Sequence, residues 1–118
     1  MPQQYMLLLY DDPSEYRDMS PAEMQAMIER YSAWARSVGQ QGKLKGNNKL
    51  RDEGGRIVRG VDGRVVVADG PYAEAKEIVS GYFLVEADSY DEAVDIARGC
   101  PHAQSRGKIE IREIEPLH

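Results

Sequence analysis

The sequence predicts an α+β fold in which two β-α-β halves contribute to one antiparallel sheet, with a β-hairpin inserted between them. Three features carry that expectation: two helix starts of the form Ser-x-x-Glu, a series of apolar runs bounded by turn residues, and a difference in how those runs alternate. At 118 residues the chain has the size of one domain with its own core, so residues 1–118 are read as a single domain that needs neither disulfide nor metal to fold.

Tyr5 to Tyr10 is an apolar run of strand length. Ser20-Pro21-Ala22-Glu23 then reads as a capping box, with proline at the first helical position, where its missing N–H is no loss. Met24, Met27, Ile28, Tyr31, Ala35 and Val38 follow at helical spacing, which predicts a helix over Pro21 to Val38. Leu44 to Leu50 is a less apolar strand candidate, followed by Arg56 to Arg59 and Arg64 to Ala68. Gly60-Val61-Asp62-Gly63 between the last two tolerates positive φ and predicts a hairpin. Ile78 to Ala87 is the longest strand candidate. Ser89-Tyr90-Asp91-Glu92 reads as a second capping box, ahead of a narrow stripe of Ala93, Val94, Ile96 and Ala97 that Gly99 and Pro101 should stop. Lys108 to Ile114 is the final strand.

The order βαββαβ with an inserted hairpin is that of a ferredoxin-like split βαβ fold. Tyr5 to Tyr10 and Ile78 to Ala87 are apolar on both alternating faces and should be central, whereas Lys108 to Ile114 alternates Ile109 and Ile111 with Glu110 and Arg112 and suits an edge. Two helices cover one face of a four-stranded sheet, so the central strands predict cover on the other face too. The sheet of a second copy, packed face to face across a two-fold axis, would supply it and make a homodimer; the middle hairpin folding back would do the same in a monomer.

Composition narrows the function classes. Cys100 is the single cysteine, which rules out an intrachain disulfide and a multi-cysteine zinc site, and His102 and His118 have no metal-ligand spacing. The opening apolar run is too short for a secretory core, and nothing approaches membrane-spanning length, so a soluble, cytoplasmic protein with no membrane partner is expected. A net charge of -5, with both signs interspersed, gives no basic stripe for nucleic acid. Gly39, Gly42 and Gly46 form no phosphate-binding or dinucleotide fingerprint, and no cofactor is expected.

The most unusual local chemistry is Asp69-Gly70-Pro71-Tyr72, where an apolar strand ends on a carboxylate. An Asp at a turn normally accepts from the N–H two residues on, but Pro71 has none, so Asp69 must bond farther along or face a cleft, unless Asp69 and Gly70 only shape the turn. His102, after the second helix, titrates near neutral pH and is a candidate acid or base, or else an ordinary loop histidine. Tyr10, Tyr72 and Tyr82 are candidates to orient a small oxygenated molecule or to fill the core. Lys76 and Glu77 are candidates to contact a substrate or to sit in a solvated turn. Cys100 would be a nucleophile only with a stabilised thiolate, and His118, as the last residue, is given no role.

Asp69 to Glu77, Gly81-Tyr82-Phe83-Leu84-Val85-Glu86, Asp91-Glu92-Ala93, Lys108-Ile109-Glu110-Ile111-Arg112 and the opening Tyr5-Met6-Leu7-Leu8-Leu9-Tyr10, taken as an ordered set, resemble the YCII-related, or DGPF-motif, family. The resemblance implies a ferredoxin-like fold that forms a dimeric α+β barrel. Tyr72 replaces the phenylalanine of the family's motif, and Ala75 stands where threonine is common. Some members resemble lactone-handling dehalogenases and others accompany sigma factors. Two functions follow as expectations. One is a cofactor-independent enzyme acting on a small, lactone-like metabolite by proton transfer or elimination, with Asp69 as base, His102 as acid, and Tyr10, Gly70, Pro71, Tyr72, Lys76, Glu77 and Tyr82 around the substrate. The other is a module that binds a small molecule without converting it and signals through its dimer.

Overall fold

In a computed structural model, residues 2–70, 77–105 and 107–116 are described. The elements are β1 (Gln3–Asp11), α1 (Pro21–Gln40), β2 (Leu44–Lys49), β3 (Arg56–Val61), β4 (Arg64–Asp69), β5 (Ile78–Ala87), α2 (Tyr90–Arg98) and β6 (Lys108–Glu113), with short 3-10 turns at Pro13–Tyr16 and Pro101–Gln104. The strands pair in two sheets, β2-β5-β1-β6 and β3-β4, and every pairing is antiparallel. This is the ferredoxin-like order, with β1 and β5 central and β6 at an edge as the alternation predicts.

Local chemistry explains most of the boundaries. Ser20 and Glu23 form the reciprocal capping box at the start of α1, and the helix runs two residues past Val38. The second Ser-x-x-Glu is only half a box: Ser89 Oγ accepts from the Glu92 N–H at 3.2 Å, but the Glu92 carboxylate turns to Lys43 Nζ, 3.1 Å away, and not back to the cap. That ion pair ties the start of α2 to the segment entering β2. The hairpin turns at Asp62 and Gly63, both at positive φ, between the paired residues Val61 and Arg64.

The core lies between the main sheet and the helices. Tyr5, Leu7 and Leu9 of β1 and Phe83, Val85 and Ala87 of β5 point the same way and are buried against Val38, Ala93 and Ala97. Trp34 joins the two helices to the sheet, meeting Phe83 edge-on at 4.7 Å between ring centres while its Nε1–H donates to the Ile96 carbonyl at 3.2 Å. The opposite alternation, Met6, Leu8, Tyr82 and Leu84, is half-buried on the face away from the helices.

The β3–β4 hairpin stands apart from this core. Val58, Val65 and Val67 share one of its faces, since Val58 lies opposite Val67 and Gly60 opposite Val65, and Val65 is 75% exposed. The projecting hairpin raises the radius of gyration to 16.2 Å, against about 13–14 Å for a compact chain of this length. No helix among the described residues is long and apolar enough to cross a membrane.

At the edge of the sheet, Tyr5 Oη donates to Glu113 Oε1 at 2.9 Å, and the Tyr90 hydroxyl accepts from the Glu113 N–H at 2.8 Å. Burial, reinforced by the bond to Glu113, pushes the Tyr5 phenol from 10.0 up to about 12. A raised phenol favours the protonated folded form, so its contribution is fully present below pH 10 and is lost as pH rises through about 12. Urea unfolding midpoints should therefore fall across that window. Tyr5→Phe should flatten the fall without removing it, because Tyr16 and Tyr31 are raised as well; an unaltered slope would show that Tyr5 takes no part.

Candidate functional site

A cavity of about 350 Å³ lies between the first half of α1 and the helix-facing side of the sheet. Leu9, Met24, Met27, Ile28 and Phe83 give it an apolar wall, and the helical spacing of the three α1 residues turns them to one side. Its polar end is built from Asp11, Tyr16, Tyr31, Ser80 and His102. At its rim, Lys49 Nζ meets Asp52 Oδ1 at 2.9 Å; on the other face of the sheet, Asn48 donates to the Tyr82 hydroxyl at 2.8 Å.

The polar end follows from the path of β1. Tyr5, Leu7 and Leu9 face the helices, and the last residue of the strand, Asp11, is buried with them at 8% exposure. A register shift sits here: Leu9 pairs with Gly81 but Tyr10 with Val79, which leaves Ser80 as the extra residue of a bulge, its hydroxyl donating to the Leu9 carbonyl at 3.3 Å. Tyr16, from the 3-10 turn after β1, donates to Asp11 Oδ2 at 2.9 Å. The other oxygen, Oδ1, is buried with no hydrogen-bond partner among the described residues. An unmet polar atom of this kind costs about 1–3 kcal/mol, which a ligand can return.

His102 reaches the same place from the turn after α2 and is 1% exposed. Its Nε2 lies 2.8 Å from the Tyr10 carbonyl and its Nδ1 lies 2.7 Å from Tyr31 Oη. A carbonyl only accepts, so Nε2 carries the proton, and in the neutral ring Nδ1 accepts from the Tyr31 hydroxyl. The ring packs directly on Gly107, where any Cβ would overlap it. Burial above all, then the neighbouring Cys100 and Asp11, raises the Tyr31 phenol well beyond its ordinary value; burial and the bond to Asp11 do the same to Tyr16. Cys100 is fully buried, and burial raises its thiol, the opposite of what a nucleophile needs.

Of the residues singled out in the sequence, His102 and Tyr82 line the cavity, and Tyr10 contributes the carbonyl that holds His102. The Tyr10 hydroxyl points elsewhere, donating to Glu110 at 2.9 Å beneath Lys108. Asp69 ends β4 with its side chain 87% exposed and 3.3 Å from Arg56 Nε, and it does not line the cavity. Gly70 donates to the Gly55 carbonyl at 3.0 Å and packs so closely on Gly54 that a side chain would collide with the backbone. Glu77 is exposed and paired with Lys108 at 3.3 Å. Pro71, Tyr72, Ala75, Lys76 and His118 lie outside the described residues. Sequence reasoning missed Asp11, Tyr16 and Tyr31. Asp11 had a usable signal, since it continues the alternation Tyr5, Leu7, Leu9 by one step; Tyr31 was absorbed into the apolar stripe of its helix.

Comparison with known proteins agrees with this fold. The family model of the YCII-related domain matches residues 3–118. An uncharacterised protein of Rhizobium meliloti (strain 1021) is 34% identical over 112 residues, covering 93% of this chain and 90% of the relative.

If Asp11 serves a ligand and not the fold, Asp11→Asn should leave stability unchanged or raise it by up to about 2 kcal/mol, because a lone buried charge is removed while Tyr16 keeps an acceptor. Chemical denaturation measures this. A loss above about 1 kcal/mol would make Asp11 a structural residue.

Proposed function

The chain belongs to the YCII-related family, and on that premise we propose that its cavity is the active site of a cofactor-independent enzyme that acts on a small oxygenated metabolite by proton transfer or elimination. The observation that carries this reading is the buried Oδ1 of Asp11, unpartnered among the described residues, beside the Tyr31–His102 pair. A carboxylate oxygen in an apolar cavity, with its other oxygen held by Tyr16, is fixed in direction and short of solvation, which suits a general base.

In this reading Asp11 takes a proton from a carbon next to the substrate's oxygenated carbon. The electron pair of that C–H bond forms a carbon–carbon double bond as a pair leaves the oxygenated carbon, either the carbonyl π pair, which moves onto oxygen as an enolate, or the bonding pair of a departing group; the protonated Asp11 then returns its proton to the carbon as the enolate collapses, or gives it to the departing group. The base is assigned to Asp11 and not to Asp69 because Asp69 is exposed and held by Arg56. His102, expected from the sequence to be an acid, stands behind Tyr31 and acts by holding that phenol in place.

Exchange of substrate C–H protons for deuterium, followed by NMR over a panel of small hydroxylactones and hydroxyketones, tests the chemistry without knowledge of the physiological substrate. The parent protein should catalyse exchange, Asp11→Asn should slow it at least ~100-fold, and Asp69→Asn should not. Exchange undiminished in Asp11→Asn would end the assignment, and tight binding of a compound that never exchanges would make the chain a binding module.

The same reading includes a homodimer in the cytoplasm. Its support is the half-buried outer face of the sheet, Met6, Leu8 and Leu84, and the exposed valines of a hairpin that is too small to be stable in water by itself. Native mass spectrometry should report twice the 13.3 kDa of the chain; a monomer at micromolar concentration would remove the dimer.

A further inference from the structure

We infer that the ligand of this cavity presents a hydrogen-bond donor, a hydroxyl or a protonated amine, to Asp11, and carries it on an apolar body; carboxylates, phosphates and carbonyl compounds without a hydroxyl or amine are excluded from that end. The inference rests on the cavity being the site proposed above, and it follows from where each proton around Asp11 is used.

Four side-chain donors surround the polar end, and each is committed within the protein. Tyr16 donates to Asp11 Oδ2 at 2.9 Å, Ser80 to the Leu9 carbonyl at 3.3 Å, His102 Nε2 to the Tyr10 carbonyl at 2.8 Å, and Tyr31 to His102 Nδ1 at 2.7 Å. Carboxylates and carbonyls only accept, which fixes three of these directions, and the fourth holds with His102 in the tautomer that carries its proton on Nε2. What remains at this end is acceptor capacity: Asp11 Oδ1, which has no partner among the described residues, and the hydroxyl oxygens of Tyr16, Tyr31 and Ser80, whose protons are used. All of these accept. At that end an anion would meet a buried carboxylate and no uncommitted proton on Tyr16, Tyr31, Ser80 or His102, and a ketone or ester oxygen would find none of these four to accept from.

The rest of the cavity sets the body of the ligand. Leu9, Met24, Met27, Ile28 and Phe83 offer no charge, and the two methionines can adapt to a ring or a short branched chain. A volume of about 350 Å³ admits a molecule of one or two rings. Lys49 Nζ is engaged by Asp52 and by the Leu50 carbonyl. A donor head with an apolar body therefore enters head first, with the head at Asp11.

A matched series with one ring and four heads tests this on the full chain: benzylamine, benzyl alcohol, anisole and benzoate, with affinities measured by ligand-observed NMR. The amine and the alcohol should bind at least ~10-fold more tightly than the ether and the carboxylate, and Asp11→Asn should abolish the advantage of the amine. Comparison of the amine with the alcohol tells a charged donor from a neutral one. Benzoate or anisole binding as well as the alcohol would overturn the inference. The series reads binding alone, so a donor preference without proton exchange would leave this inference standing and remove the enzyme, whereas exchange without a donor preference would do the reverse.

Discussion

β1 is hydrogen bonded on both sides, to β5 and to β6, and most of what is distinctive in this molecule depends on that constraint. A strand held on both edges cannot rotate, so the face of each side chain is set by its place in the alternation. Tyr5, Leu7 and Leu9 satisfy the constraint as core residues. Asp11 obeys it too, and a carboxylate is carried onto the apolar side of the sheet where its neighbours must respond. Tyr16 meets one oxygen and nothing in the described protein meets the other. The bulge at Ser80 belongs to the same adjustment, since it lets β5 follow β1 past the point where the chain leaves the core.

The cavity and the closed core are two regions of one space, divided by Phe83. On one side Phe83 takes the edge of Trp34 and closes the packing between helices and sheet; on the other it forms part of the cavity wall. The difference lies in α1. Toward its end Trp34, Ala35 and Val38 pack onto the core, while near its start Met24, Met27 and Ile28 stand around open space. One amphipathic stripe thus serves for stability in its second half and for a binding wall in its first.

What could be read from the sequence divides along the same line between local and distant interactions. The cap at Ser20, the turn at Asp62 and Gly63, and the limits Ile78 to Ala87 were legible because each depends on a few adjacent residues. The second capping box was misread because Glu92 answers to Lys43, far away in sequence. The site was legible only in His102. Its partner Tyr31 is 71 residues away and has the spacing of an ordinary core position, and Asp11 lies one residue beyond the apolar run Tyr5 to Tyr10. Asp69 drew attention because its neighbours are unusual, yet its observed partner is an arginine across a hairpin, which no local pattern announces.

The two strands that flank each other at Tyr5 and Glu113, β1 and β6, are the first and the last of the described strands. During synthesis α1 and the β3–β4 hairpin can close soon after they emerge, since their bonds join near neighbours. The centre of the main sheet cannot, because β1 must wait for β5 and then for β6. The histidine that grips the Tyr10 carbonyl arrives 92 residues after its acceptor, so the polar end of the cavity forms later than α1 and the hairpin. Until then Leu7, Leu9 and Asp11 sit on an unpaired strand edge in a nascent chain. The order of translation thus runs against the order of assembly, and the time between them is the interval in which this protein is most exposed to misassembly.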